Sequence, residues 1–175
     1  MMITMTFAFW VSIVVFAIIG GLRGWAKELL VTFSVLLSLF IGEVLTRYVP
    51  PIREFFTPPP PIGSSQFWVR TILLLILVFF GYQTPNIAKL AGPRFARERL
   101  ADSLLGFFLG AVNGYLIVGT IWWFLIESNY PFPKHITKPT PDPAILAYLP
   151  PDLLGIPVVY FAIAIAFLFV IVVFI

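Results

Sequence analysis

Long apolar runs, each of bilayer-crossing length and set apart by short polar or proline-rich stretches, constrain this chain more than any other feature. A helix needs roughly 20 consecutive apolar residues to cross the hydrocarbon core of a bilayer. The sequence offers five such runs, at about Ile3 to Leu22, Leu29 to Tyr48, Phe67 to Tyr82, Leu104 to Ile126 and Ile156 to Ile175. The third is short and leaves an extension past Pro85 open. A soluble core would scatter its apolar residues at helix or strand period instead. With 60% apolar and 11% charged residues, the chain also lies well away from the ordinary soluble mix of about 45–50% and 25%. The expectation is an all-α integral membrane protein with two transmembrane helical hairpins and a fifth, C-terminal transmembrane helix. Residues 1–126 form the four-helix region, 127–155 a proline-rich extracytoplasmic connector and 156–175 the last helix.

A formal charge of +3 would suit a nucleic-acid partner, but the eleven Lys and Arg form no run, and a positive-inside bias accounts for them. The absence of cysteine excludes disulfides, thiolate metal sites and cysteine nucleophiles. The first run lacks the basic residues that precede the apolar part of a cleaved signal peptide, so it reads as a retained span. Connectors one and three carry six basic residues, Arg23, Lys27, Lys89, Arg94, Arg97 and Arg99; connectors two and four with their helix ends carry five, Arg47, Arg53, Arg70, Lys134 and Lys138. The six lie in the more compact connectors, which places the N-terminus on the side of the membrane away from the cytoplasm.

In that orientation all prolines except Pro85 and Pro93 lie on the outer side, in stretches that cannot be continuous helices. Pro58 to Pro61 favour a stiff polyproline II spacer, with a docking strip for a partner as the sharper reading. Trp10, Trp68, Trp122 and Trp123 toward the outside, and Trp25 and Tyr82 toward the inside, suit interfacial belts. Arg70, near the start of its span, is placed to snorkel.

Two segments carry more information. The first, GGLRGWAKEL from Gly20, closes span one, where Gly20 and Gly24 permit a tight turn or a close helix approach. The connector GLRGWAKE then joins the spans of a tight hairpin, with Arg23 and Lys27 among lipid headgroups. The second runs from Asp102 through Gly106, Gly110 and Gly114. Glycines four residues apart drift about 40° per step on a helix and leave one smooth groove, a glycine zipper that receives another helix; a groove for lipid or quinone is the alternative.

The arrangement G-x-x-R-G-x-x-(basic)-E after a first span, followed by D-x-x-x-G-x-x-x-G-x-x-x-G opening a later one, resembles the colicin V production protein family. Gly20, Arg23, Gly24, Lys27 and Glu28 match the first signature, and Asp102, Gly106, Gly110 and Gly114 the second, over about residues 5 to 126. Ser103 and Asn113 stand where that pattern commonly has basic residues. The proline-rich second connector and the fifth span look like additions to a four-span pattern. The resemblance implies a small protein of the bacterial cytoplasmic membrane, associated with toxin production and envelope maintenance.

Ionisable and amide groups inside spans call for partners. Glu43 stands one turn before Arg47, so an i, i+4 ion pair is the plain expectation and a proton-linked or substrate-contacting role the sharper one. Asn113, about ten residues into span four, is expected to bond another helix. Arg23 or Lys27 should share a membrane depth with Asp102 and pair with it. Ser64, Ser65 and His135 fall in connectors with nothing to orient them, there is no HExxH, and no aspartate lies inside a span. These absences argue against intramembrane proteolysis and against an enzyme. No cofactor is expected. The functional expectation is a non-catalytic scaffold or accessory protein for export, toxin production or envelope maintenance, contacting lipids and an integral-membrane partner or another copy of itself. An accessory subunit of a larger respiratory or photosynthetic complex and a small transporter or channel component are the alternatives.

Overall fold

A computed structural model describes residues 4–56, 64–83, 99–132, 136 and 144–174. In hydrocarbon every backbone polar group needs an internal partner, and a helix supplies one within a single segment. The described chain accordingly folds as α1 (Met5–Arg23), α2 (Trp25–Tyr48), α3 (Pro50–Phe56), α4 (Ser64–Tyr82), α5 (Arg99–Glu127), a 3-10 turn (Ala144–Tyr148), α6 (Pro150–Leu153) and α7 (Val158–Phe174). Four of these, α1, α2, α4 and α5, are long and apolar enough to cross a membrane. The uncharged α7 is shorter, at 17 residues, or about 26 Å at 1.5 Å per residue. The protein is an all-α, multi-pass membrane protein in contact with lipid.

The distribution of side chains follows from lipid being the solvent. Large apolar groups such as Leu22, Phe80, Phe108 and Val172 face outward, while α5 buries Gly106, Gly110, Asn113, Gly114, Gly119 and Thr120. Lipid tails exert no hydrophobic push on a leucine, so close approach of small residues and hydrogen bonds hold such bundles together.

Helix packing runs mainly between the two hairpins. Helix α1 lies along α5, and α2 packs on both α4 and α5, whereas α1 and α2 make little contact with each other. The α1–α5 pair is antiparallel, with Gly20 against Gly106 and Gly110, Phe16 against Gly110 and Gly114, and Phe9 against Gly119. Between α2, α4 and α5 the core holds Val31, Val35, Leu74, Val78, Leu116 and Ile117.

Several expectations need correction. The eight-residue connector between the first two spans shrinks to Gly24 alone, since α1 runs through Arg23 and α2 starts at Trp25. Helix α5 starts at Arg99, so Asp102 stands in its first turn. Trp122 does not join an interfacial belt: it is 0% exposed, packed with Phe9 and Leu149, and its indole N–H donates to the Tyr130 hydroxyl at 3.1 Å. Glu43 is half-buried and makes no ion pair with Arg47 in the described structure. Arg70 instead finds a partner across helices, Glu127 at 3.2 Å, and lies 4.6 Å from the Phe56 ring centre.

The proline-rich stretches form short helices where described. Pro50 and Pro51 open α3, and Pro150 and Pro151 open α6, positions where the missing N–H has no intrahelical partner to lose. The polyproline run Pro58 to Pro61, His135 and the basic residues Lys89, Arg94 and Arg97 lie outside the described residues. At this end of the bundle Leu149 is fully buried, and Asp152 accepts the Trp123 indole N–H at 2.9 Å.

Candidate functional site

The residues that distinguish this sequence gather where α1 turns into α2. Gly24 makes the turn with φ 88° and ψ 156°, a region that is essentially glycine-only and costs a side chain about 1–3 kcal/mol. Its N–H closes α1 by donating to the Gly20 carbonyl at 3.0 Å. The start of α2 leaves backbone N–H groups without intrahelical acceptors, and the cap comes from a distant part of the chain. Asp102 Oδ1 accepts the Trp25 N–H at 3.0 Å, and its two carboxylate oxygens would stand only 2.8 Å from a Cβ on Gly24. Negative charge at a helix N-terminus is favourable as well. The expected ion pair or hydrogen bond of Asp102 with the Arg23 or Lys27 side chain is therefore replaced by a carboxylate-to-backbone bond that still ties the two hairpins together. Next to it, the Ser103 hydroxyl donates to the Gly21 carbonyl at 2.7 Å, satisfying one of the last carbonyls of α1.

This cap makes a measurable prediction. Asp102→Ala is expected to cost about 1 kcal/mol, as loss of an N-cap acceptor does elsewhere. Asp102→Asn, which keeps the acceptor, should cost a few tenths. Unfolding in mixed micelles titrated with SDS checks the order, and equal losses from the two variants would contradict the cap.

One turn into α2, Glu28 is 0% exposed. A buried carboxylate is tolerated only where it is paired and hydrogen-bonded, and here both oxygens are engaged. Arg23 Nη1 donates to Oε1 at 2.5 Å, and Asn113 Nδ2 of α5 donates to Oε2 at 2.8 Å. The same Asn113 nitrogen reaches the Glu28 backbone carbonyl at 2.9 Å. The Asn113 amide oxygen accepts the Thr32 hydroxyl at 2.7 Å. Asn113 is itself 0% exposed, so its amide is matched entirely within the protein. Arg23 extends the network to α4, donating to the Tyr82 carbonyl at 3.2 Å with its guanidinium carbon 4.2 Å from the Tyr82 ring centre. One guanidinium thus joins the ends of α1, α2 and α4.

Below this network runs the glycine seam. A Cβ on Gly20 would collide with the Gly106 carbonyl and stand 2.7 Å from the Gly110 Cα; one on Gly110 would collide with the Phe16 carbonyl. A Cβ on Gly114 would lie 3.0 Å from the Ile13 Cα. Backbone therefore touches backbone along two turns. Gly42, by contrast, has open space around it.

The structure thus brings together Gly20, Arg23, Gly24 and Glu28 with Asp102, Gly106, Gly110, Asn113 and Gly114. It leaves Lys27 and Glu43 outside this group. Lys27 is half-exposed and Glu43 lies more than three turns further along α2. Sequence reasoning missed Thr32 and assigned Tyr82 only to a belt. The signal for Thr32 is its place one turn after Glu28 on the same face. Among the described residues no three His, Cys, Asp or Glu side chains gather as a metal site.

Fold and site together define a multi-pass helical membrane protein whose distinctive residues lock its helices to one another. The family model for the colicin V production protein matches residues 5–140. The chain belongs to the colicin V production protein family. The match ends before the 3-10 turn, α6 and α7. Neither the curated proteins nor the solved structures contain a match to this chain.

Proposed function

We propose that this protein is a non-catalytic scaffold of the bacterial cytoplasmic membrane, with its N-terminus outside, that supports export of a toxin or maintenance of the envelope. The observation that carries the reading is the mutual satisfaction of the signature groups. Glu28, Asn113, Arg23 and Asp102 find their partners in one another, in Thr32 or in backbone groups. A transport or catalytic centre would instead direct such groups toward a ligand.

In a scaffold, activity follows the amount of folded protein. Complementation of a host that lacks its own family member, read as toxin release or detergent resistance, should therefore fall in step with folded fraction across Gly42→Ala, Asp102→Asn and Glu28→Gln. A Glu28→Gln protein that is fully folded and inactive would contradict the scaffold reading and favour proton-linked transport.

An accessory role within a larger assembly draws support from α7, which rests on α2 while turning Phe161, Ile165 and Leu168 outward. Extraction from the native membrane in a mild detergent, followed by native mass measurement, separates the two. A stoichiometric integral-membrane partner supports the accessory role, and recovery only as a monomer or small homo-oligomer counts against it.

A further inference from the structure

Helix α7 leans on α2 and makes at most marginal contact with α4, which leaves a crevice of about 470 Å³ between α4 and α7 with α2 as its floor. Its walls include Phe33, Leu37, Leu77, Phe80, Ile163 and Phe167. The Ser34 hydroxyl in this lining is already bonded to the Leu30 carbonyl at 2.9 Å, so the walls make no polar demand. Polarity appears only at the end near Gly24. There Gln83, which also lines the crevice, is exposed just beyond α4.

Lys27 stands at the same end. It lies one turn before Leu30 and two turns before Ser34, within about 20° of Ser34 around the helix, and both residues line the crevice. Side chains on a helix tilt toward its N-terminus, which carries the Lys27 ammonium toward the bilayer surface. The bond from Arg23 to the Tyr82 carbonyl sets the end of α4 at the depth of the first turn of α2, so Lys27 and Gln83 share a level. Of the described carboxylates at this end of the bundle, Glu28 is engaged with Arg23 and Asn113, and Asp102 with the Trp25 N–H.

We propose that this crevice is a binding site for one anionic phospholipid, an acyl chain lying between α4 and α7 and the phosphate held by Lys27 and the Gln83 amide. Among the described residues at this end, Lys27 is a cation that makes no ion pair, and an apolar slot with such a cation near its end matches that chemistry, whereas a neutral apolar molecule would leave the cation unused. The proposal is independent of the scaffold reading, because it concerns the purified protein and not its role in a cell.

Native mass spectrometry of the full chain in mild detergent, titrated with phosphatidylglycerol or with phosphatidylcholine of the same acyl chains, tests it. The wild type should retain one phosphatidylglycerol with about a fivefold preference, the worth of one lysine beside an anionic surface. Lys27→Gln should remove the preference while leaving the helical circular dichroism and melting unchanged, since Lys27 makes no ion pair within the described structure. Leu77→Trp, which fills the slot, should remove retention of both lipids. Equal retention of the two lipids by wild type and Lys27→Gln would overturn the proposal. So would unaltered phosphatidylglycerol retention by Leu77→Trp, or a dimer in place of bound lipid that Leu77→Trp abolishes.

Discussion

Gly110→Val is expected to destabilise the bundle by about 3 kcal/mol, the upper end of what overpacking usually costs, with α1 lifted off α5. The new Cβ would collide with the Phe16 carbonyl oxygen and lie 2.9 Å from the Gly20 Cα. Had the obstacle been a side chain, a rotamer change would relieve it. A helix backbone offers no such escape, so α1 moves as a body and loses contact along the seam that joins it to Gly106 and Gly114. Gly42→Ala is the matched control, because nothing lies within 4 Å of a Cβ there. Its effect should be neutral to stabilising by up to about 1 kcal/mol, the helix propensity gained when alanine replaces a mid-helix glycine. SDS titration in mixed micelles measures both, and indistinguishable midpoints would show that the α1–α5 seam is not tightly packed.

Glu28→Ala should be the more damaging single change, at about 3–5 kcal/mol, the range for breaking a buried pair by removing one partner. It strips Arg23 of its carboxylate and Asn113 of one of two acceptors. Asn113→Ala should cost less, about 1–2 kcal/mol, because interhelical hydrogen bonds in membranes are individually modest and the Glu28–Arg23 pair survives. The order of the two losses is diagnostic. If Asn113→Ala proved the worse, the charge would not be the centre of the network.

The membrane-spanning helices were legible because run length alone separates a spanning helix from other structure. Asn113 stood out as an amide in an apolar helix, and the four-residue spacing of Gly106, Gly110 and Gly114 marked a face. The role of Glu28 was not legible. A carboxylate beside Lys27 near the end of an apolar run looks like a connector residue, and only the one-residue turn at Gly24 draws it inside the bundle. Glu43, which sits further inside a run, is the more conspicuous carboxylate in the sequence yet stands apart from the network.

The partner of Asp102 was hidden for a different reason. Helix N-terminal amides are strong donors that leave no trace in a list of side chains, so Arg23 and Lys27 were the visible candidates. Likewise, Ser103 and Asn113 read as departures from the family pattern. Their bonds to the Gly21 carbonyl and to Glu28 depend on the antiparallel register of α1 and α5, which spacing along one helix does not convey.

The two signature segments are held together by a buried network in which Glu28 of α2 and Asn113 of α5 bond directly. A double-mutant cycle with Glu28→Ala and Asn113→Ala, read by SDS unfolding in mixed micelles, measures that link. The expected result is a coupling of about 1–2 kcal/mol, within the range for residues in one hydrogen-bond network. Losses that add to within about 0.3–0.5 kcal/mol, as independent sites do, would contradict it.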